Sequence, residues 1–430
     1  MRGKSEGGLD SAVGFNGPSR KCRSRAGRKK LHTSRTYAAN DGAVRKLART
    51  VRAVGRPLFD IRSLRQLLLV FALAVSVTQG PVVQTVASAE TTTPAWVRVS
   101  VATVWHLPSS PRPVDAPALG NPAGIEDWLT RLSVTERLGL DSRINTQVLL
   151  GQEVLVLARR GRWSEVEVPD QRGSRFPDGI IGWVPDVQLS AVAPPAKSRE
   201  VIVSVARTWL YAVAKGMVAR RRFLVSYGTV LPVVRTVTGY LVLGLPGGQQ
   251  GAIADNALSP VHVGAVSGTT VANQARRFLG LPYLWGGTSG FGYDCSGLVY
   301  SLYARYGIYL PRDAADQRRA GIPVPLDKLQ PGDLLFFAGP GGKGLVHHVA
   351  IYVGGGRVID SPYTGASVEI VPMTSLPVWD EFAGATRPTL ASASAFQIRS
   401  AWSLALPVIR LDHTRTAVVS DHLPVGPSAT

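Results

Sequence analysis

One cysteine and two adjacent histidines are the side chains of this sequence that could act as nucleophile and base. Cys295 lies in DCSGLVYSLY, directly after a glycine-rich turn, and the pair His347 and His348 follows downstream. Leu298 and Leu302 recur at helical spacing, which predicts Cys295 in the first turn of a helix. Unpaired amides and the helix dipole at such a terminus favour an anion, and therefore the thiolate form of a cysteine.

The segment from Gly344 to Pro362 predicts a hairpin that presents the base. GLVHHVAIYVGGGRVIDSP alternates like a strand, turns at three glycines and returns as a second strand. Adjacent residues on a strand face opposite sides, so only one of His347 and His348 can meet the cysteine. We favour His348, because the small Ala350 on its face lets a helix approach closely, and His347 is the alternative base. Across the hairpin, Asp360 could accept the other imidazole N–H.

Each of these residues also has a structural interpretation. Cys295 could be a buried helix cysteine, and His348 could be a core histidine with satisfied polar atoms. Asp360 could simply begin a turn. A metal site at the histidine pair has poor support, because no nearby Cys/His ligand set completes it.

The net charge of +19 is concentrated near the N-terminus. Residues 1–66 hold 17 Lys/Arg and 4 Asp/Glu, so +13 of the charge lies there. The rest of the chain carries only a small excess of basic residues, which gives no basis for predicting that its folded domains bind nucleic acid. A basic flank, the apolar run LLLVFALAVSV and the small-residue site VASA are typical of a secretory signal. We therefore predict a basic region and signal peptide over residues 1–89, cleaved after Ala89, and a secreted or cell-envelope protein. The alternative is an uncleaved membrane tether through residues 67–78.

Export would also limit the redox chemistry of the chain. Cys22 would leave with the signal, so the mature protein would keep Cys295 as its one cysteine. One cysteine cannot form an intrachain disulfide or a multi-thiolate zinc site. We expect no metal and no organic cofactor.

Two β-rich regions precede the region that contains Cys295. Residues 93–192 and 199–262 align loosely, GQEVLVLARRGRWSEVEVP with GTVLPVVRTVTGYLVLGLP, and each alignment is followed by a Leu-Ser pair. This similarity predicts one small barrel used twice, joined by the linker APPAKS. An insert in the first copy, NPAGIEDWLTRLSVTERLGL, predicts one or two short helices. Residues 268–388 form the third predicted domain, and 389–430 are an extension of unknown order.

Five motifs of the third domain resemble one enzyme family. PYLWGG, DCSGLVYSLY, LPRDAADQ, PGDLLFF and HVAIYVGGGRVID come in the order and spacing of the NlpC-type papain-like peptidases. The two β-rich regions resemble bacterial SH3-like domains, which often accompany cell-wall enzymes. The resemblance implies an α+β fold, with a papain-like catalytic domain preceded by two small all-β SH3-like barrels. It also implies hydrolysis of peptidoglycan stem peptides or muropeptides, at the bond from γ-D-glutamate to a diamino acid.

By this resemblance Cys295 is the nucleophile, His348 the base and Asp360 the third residue of a triad. The third position is usually histidine in such enzymes, and a carboxylate can also accept an imidazole N–H. Two other hypotheses stay open on the sequence alone. A related cysteine hydrolase could act on another amide, such as a cross-link or poly-γ-glutamate, or the protein could bind cell wall without catalysis.

The same resemblance implies four substrate-binding residues. Tyr283 matches a tyrosine beside the cysteine, whose hydroxyl could hold the oxyanion or the substrate. Asp294 and Ser296 match positions lining the cleft, and the acid helps to bind a free stem amine. Arg312 matches an arginine near substrate carboxylates, although the serine expected two residues later is Ala314.

Relatives with this domain order close the cleft with a wall from the first barrel and require a free N-terminal L-Ala. Asp115 in RPVDAPAL is a candidate for that wall, without a residue-by-residue alignment to support it. Trp285 is expected to be a core aromatic residue.

Overall fold

The computed structural model describes residues 92–389, which form two β regions followed by an α+β region. The predicted signal peptide over 1–89, the alternative tether through 67–78 and nearly all of the C-terminal extension lie outside the described residues. Between residues 92 and 389, no helix has both the length and the apolar character needed to span a membrane.

The first β region is a seven-stranded antiparallel sheet with the order β3-β2-β6-β5-β4-β1-β7. Its strands are β1 Thr93–Val97, β2 Val101–Trp105, β3 Ile144–Leu149, β4 Glu153–Arg160, β5 Trp163–Val168, β6 Ile180–Pro185 and β7 Leu189–Ser190. The predicted insert between β2 and β3 forms two short helices, α1 (Ile125–Arg131) and α2 (Val134–Leu138). Ser133 caps α2 and exchanges hydrogen bonds with Glu136, as a capping box does.

The second β region repeats this topology strand for strand. Its strand order is β10-β9-β13-β12-β11-β8-β14. Adding seven to each strand number of the first β region gives this same order. The strands are β8 Glu200–Val203, β9 Arg207–Ala214, β10 Met217–Ser226, β11 Val230–Val237, β12 Tyr240–Gly244, β13 Gln250–Ala254 and β14 Leu258–Pro260. The predicted internal repeat is therefore confirmed, whereas the SH3-like identity of the two copies stays a prediction.

The C-terminal region packs helices against an antiparallel six-stranded sheet of order β17-β22-β18-β19-β20-β21. Its helices are α3 Gly268–Ala275, α4 Cys295–Ala304 and α5 Ala314–Arg319, and a two-stranded hairpin, β15 Thr288–Ser289 and β16 Gly292–Tyr293, precedes α4. The sheet strands are β17 Gly321–Val324, β18 Leu334–Ala338, β19 Val346–Gly354, β20 Arg357–Asp360, β21 Glu369–Pro372 and β22 Phe382–Pro388. Short 3-10 turns are Pro113–Leu119, Asp186–Gln188, Asp255–Ala257, Arg276–Phe278, Leu326–Lys328, Met373–Ser375 and Trp379–Glu381.

The loop that leads into α4 is held between the two β regions. Leu284 and Phe291 belong to the hydrophobic core of the first β region. Gly290 N donates to Ser226 Oγ of the second β region at 2.8 Å. A Cβ at Gly290 would lie 1.9 Å from Ala206 O, so only glycine permits this approach. The chain entering the Cys295 helix is thus fixed by packing that the C-terminal region does not supply alone.

We expect Phe291→Ala to destabilise the whole described assembly, because it empties a core shared by two regions. The predicted loss is about 3–5 kcal/mol in the free energy of unfolding, measured by urea denaturation. Ile322→Ala, at a side chain that is 59% exposed, is the matched control and should change stability by less than about 0.5 kcal/mol. Equal effects of the two substitutions would show that the loop is not anchored in this core.

Candidate active site

Cys295 is the first residue of α4, and Asp294 is its N-cap. Asp294 Oδ1 accepts a hydrogen bond from Gly297 N at 2.6 Å, the contact that favours a helix start at this point. Gly297 also lets the helix pack closely, since a Cβ there would lie 2.0 Å from Gly287 O. Cys295 therefore stands at the positive end of a helix, as its spacing predicted, and is 8% exposed.

His348 and Asp360 meet across the β19–β20 hairpin. His348 Nε2 lies 2.7 Å from Asp360 Oδ1, and both side chains are almost fully buried. His348 also interacts electrostatically with Cys295, and this interaction favours the protonated ring and raises the pKa of the histidine. Because Nε2 faces the carboxylate, Nδ1 is the ring nitrogen left for the sulfur. Asp360 thus orients the imidazole towards the thiol instead of merely starting a turn.

The charge state of His348 follows from these two neighbours. Burial disfavours the imidazolium, but the Cys295 thiolate and the hydrogen-bonded Asp360 carboxylate outweigh burial and raise the pKa of His348 from 6.5 to about 10. The imidazolium is therefore the stable form at neutral pH. The site can hold a thiolate–imidazolium pair, in which the sulfur attacks a carbonyl and the ring supplies a proton.

His347 occupies the other face of β19. Its Nε2 lies 2.7 Å from Glu381 Oε2, and its side chain is 45% exposed. The alternation of the strand therefore separates the two histidines as predicted, with His348 on the buried face. His347 has no contact with Cys295 among the interactions of the described residues.

Tyr283 lies beside the reactive pair. It is 7% exposed, and its amide donates to Ala366 O at 2.9 Å. Burial, together with the negative charges of Cys295 and Asp294, raises the pKa of Tyr283 well above that of a free phenol. The hydroxyl stays protonated and can donate a hydrogen bond into the cleft.

Asp294, Ser296 and Arg312 form one buried polar cluster. Arg312 Nη2 donates to Asp294 Oδ2 at 2.5 Å, and Nη1 lies 3.1 Å from both Asp294 Oδ1 and Ser296 Oγ. Arg312 is 3% exposed. The structure therefore brings these three predicted residues together with Cys295, and their contact with substrate stays a prediction.

A cleft of about 340 Å³ opens beside His348. It is lined by Leu138, Asp141, Tyr283, Trp285, His347, His348, Asp360, Pro362, Tyr363, Thr364, Pro377 and Val378. Leu138 and Asp141 come from the helical insert of the first β region, so one wall of the cleft is foreign to the C-terminal region. Sequence reasoning missed both residues, since no local pattern shows which side of an insert meets another region.

Two expectations about the cleft were wrong. Asp115 is fully buried, where it binds Arg112 and the indole N–H of Trp128, so it fixes the insert and does not line the cleft. Trp285 is 43% exposed at the cleft rim and is not a core residue. The glycines that follow Trp285 turn the chain towards Ile144 and leave the indole outside.

A larger groove of about 480 Å³ lies at the other edge of the sheet, between β17 and Arg387. It contains neither a cysteine nor a histidine, whereas the smaller cleft is lined by His348 and Asp360. Within residues 92–389, no three Cys, His, Asp or Glu side chains are placed to hold a metal ion.

Comparison with known proteins identifies the family of the C-terminal region. Residues 280–387 match the NlpC/P60 family. The chain is 43% identical over 277 residues to the gamma-D-glutamyl-L-lysine dipeptidyl-peptidase of Bacillus subtilis (strain 168), covering 64% of this chain and 92% of the relative. It is 40% identical over 301 residues to the protein of the same name from Bacillus cereus (strain ATCC 10987 / NRS 248), covering 68% and 90%. The crystal structure of an NlpC/P60 family protein from Bacillus cereus ATCC 10987 superposes with a TM-score of 0.64 at 38% identity, covering 69% and 99%.

We expect Asp360→Ala to narrow the pH range of activity from the alkaline side. The raised pKa of His348 keeps the ion pair up to about pH 10, and the pair is lost as pH rises through that value. Removing the Asp360 carboxylate should move the alkaline limb of the kcat/KM profile down towards pH 6.5, the ordinary pKa of histidine. It should also lower kcat about 10²-fold. Glu381→Ala, which removes the partner of His347 instead, is the control and should leave the limb in place. An unchanged limb in Asp360→Ala would contradict this arrangement.

Proposed function

The chain belongs to the NlpC/P60 family, and we propose that it hydrolyses the γ-D-glutamyl bond to a diamino acid in peptidoglycan stem peptides. It is a cysteine peptidase by family. The observation that carries the proposal is the Cys295, His348 and Asp360 constellation at a cleft, within a chain that aligns with 92% of a gamma-D-glutamyl-L-lysine dipeptidyl-peptidase. Because relatives from two Bacillus strains carry that name, L-lysine is the diamino acid we propose.

The reaction begins with attack of Cys295 Sγ on the γ-glutamyl carbonyl carbon. The carbonyl oxygen becomes an oxyanion, and the Tyr283 hydroxyl is the proposed donor to it. His348 then gives its proton to the leaving amine, which leaves a thioester on Cys295. His348, now neutral, takes a proton from water as the water attacks the thioester. The acid product departs and the thiolate is restored.

The cleft wall supports a preference for short acyl groups. Leu138 and Asp141 of the first β region close the cleft on one side, so we propose that the enzyme releases a dipeptide with a free N-terminal L-Ala. A free ammonium group requires an acid, and Asp141, which lines the cleft, is the proposed partner. The names of the two Bacillus relatives, which describe dipeptide release, agree with this proposal.

The two β regions are proposed to be SH3-like domains, and their identical strand order supports a common origin. The proposed localisation is the cell envelope or the exterior, where peptidoglycan is found. Export would depend on the signal predicted before residue 90. We propose no metal or organic cofactor, since the mechanism uses side chains alone.

We expect Cys295→Ala to lower kcat on the tripeptide L-Ala-γ-D-Glu-L-Lys by about 10⁴-fold or more, because no other group can form the thioester. The release of L-Ala-γ-D-Glu and lysine is followed by mass spectrometry. Ile322→Ala, at an exposed side chain that does not line the cleft, is the control and should keep full activity. Undiminished cleavage by Cys295→Ala would remove the mechanism.

N-acetylation of the same tripeptide tests the proposed free-amine requirement. Acetylation removes the ammonium charge and adds bulk against the Leu138 and Asp141 wall, so kcat/KM should fall at least about 10²-fold. Equal rates for the two peptides would show that the wall leaves room for longer acyl groups. Products from another amide, or none at all, would favour a different hydrolase or a wall-binding protein.

A further inference from the structure

Arg312 is held inside the protein through all three nitrogens of its guanidinium. Nη1 and Nη2 donate to the Asp294 carboxylate, and Nη1 also contacts Ser296. Nε donates to Thr146 Oγ1 of the first β region at 3.1 Å. Arg312 is 3% exposed, hydrogen-bonds Asp294 and Ser296 at the start of the nucleophile helix, and is not among the residues that line the cleft.

Asp294 would oppose the chemistry of Cys295 if it were unpaired. Its carboxylate caps α4 directly before the cysteine, and two neighbouring anions disfavour each other's ionisation. Arg312 cancels the carboxylate charge at contact distance. Burial lowers the pKa of Arg312, but attraction to Asp294 and to the Cys295 thiolate outweighs burial, so the guanidinium stays charged.

The first β region fixes Arg312 in this position. Thr146 lies in β3, is fully buried, and its hydroxyl also hydrogen-bonds the side chain of Gln171. The backbone N–H of Arg312 donates to Arg172 O of the same region at 2.8 Å. The guanidinium is therefore oriented by groups that lie more than one hundred residues away from Cys295 in sequence.

We infer that Arg312 is a positioning residue for the nucleophile, which neutralises Asp294 beside Cys295 and is itself oriented by Thr146. The inference rests on the proposed cysteine-peptidase function, because it concerns the reactivity of that thiolate. It assigns to Arg312 a role different from the predicted contact with substrate carboxylates. The first β region thereby takes part in the reactivity of the site as well as in the shape of its cleft.

The charged and titratable groups around Cys295 come from four segments, and the Asp313 carboxylate next to Arg312 is a further neighbour of the Arg312 and Asp294 pair. Asp294 and Arg312 lie at the start of α4 and just ahead of α5, while His348 and Asp360 come from the hairpin. Tyr283, from the loop before β15, stays protonated. Changing Asp294 and Arg312 while the hairpin pair is kept isolates their effect on the thiolate.

The test measures alkylation of Cys295 by iodoacetamide as a function of pH in the full chain, with the Cys295 peptide quantified by mass spectrometry. Arg312→Gln leaves the Asp294 charge unopposed and should move the pH midpoint upward by about one unit, with about tenfold slower labelling below the midpoint. Asp294→Asn keeps the cap but leaves Arg312 unopposed, so its midpoint should move downward. The double variant should return close to the wild-type midpoint.

Three further variants complete the design. Arg312→Lys keeps the charge and should hold the wild-type midpoint. Thr146→Val removes the acceptor of Arg312 Nε and should lower kcat several-fold at unchanged KM. Arg387→Gln is the matched control: it breaks a similar ion pair, with the buried Asp333 at 2.7 Å, and should shift nothing at Cys295.

Opposite shifts in the two single variants would establish the inference, even if no peptide were cleaved. Shifts of the same sign, or no shift together with a raised KM for the tripeptide, would overturn it and return Arg312 to a substrate-binding role. Should Arg312→Gln fail to fold, the midpoint of Asp294→Asn decides alone, because the inference requires it to fall. If the single variants show the opposite shifts but the wild-type protein cleaves no tripeptide, the proposed function fails and the inference about Arg312 stands.

Discussion

An ionised sulfur in a nearly dry site needs positive charge within contact distance, and this requirement governs the structure around Cys295. Its helix terminus supplies part of the charge, and the protonated His348 supplies most of it. Asp360 fixes the imidazole so that one ring nitrogen faces the sulfur. Because burial works against every charge in this group, each member depends on its partner. The hairpin, the helix and the loop before it are arranged to keep the partners in place.

The two β regions contribute to this arrangement in different ways. The first provides core packing for Leu284 and Phe291, a wall of the cleft, and the hydroxyl that orients Arg312. The second β region holds Gly290 through a hydrogen bond from its backbone N–H to Ser226 Oγ. The core packing of Leu284 and Phe291 and the hydrogen bond from Gly290 to Ser226 both hold the loop immediately ahead of Cys295. The family match covers residues 280–387, yet the geometry of the site depends on residues well before that segment.

Local patterns were sufficient to predict much of the catalytic geometry. Helical spacing placed Cys295 in the first turn of α4, and strand alternation separated His348 from His347. The repeat of two β regions was visible because strands and turns recur in the same order. Each of these features depends on residues close in sequence, where backbone periodicity alone decides which side chains share a face.

Features formed by distant residues could not be predicted in the same way. The pairing of Arg312 with Asp294 and Thr146 requires three regions to be packed together, and a sequence pattern shows no preference among the many possible partners. Aromatic residues are usually buried, which predicts Trp285 in the core, but the side chain lies 43% exposed at the rim of the cleft. Asp115 is a sequence candidate for the cleft wall, but its carboxylate binds Arg112 and Trp128 inside the insert.

The ion pair of Cys295 and His348 can be observed directly by nitrogen NMR of the histidine-labelled protein during a pH titration. We expect His348 to remain an imidazolium at pH 7 and to lose its proton near pH 10. In Cys295→Ala the same signal should titrate several units lower, because the thiolate that holds the proton in place is gone. A neutral His348 at pH 7 in the unmodified protein would contradict the account.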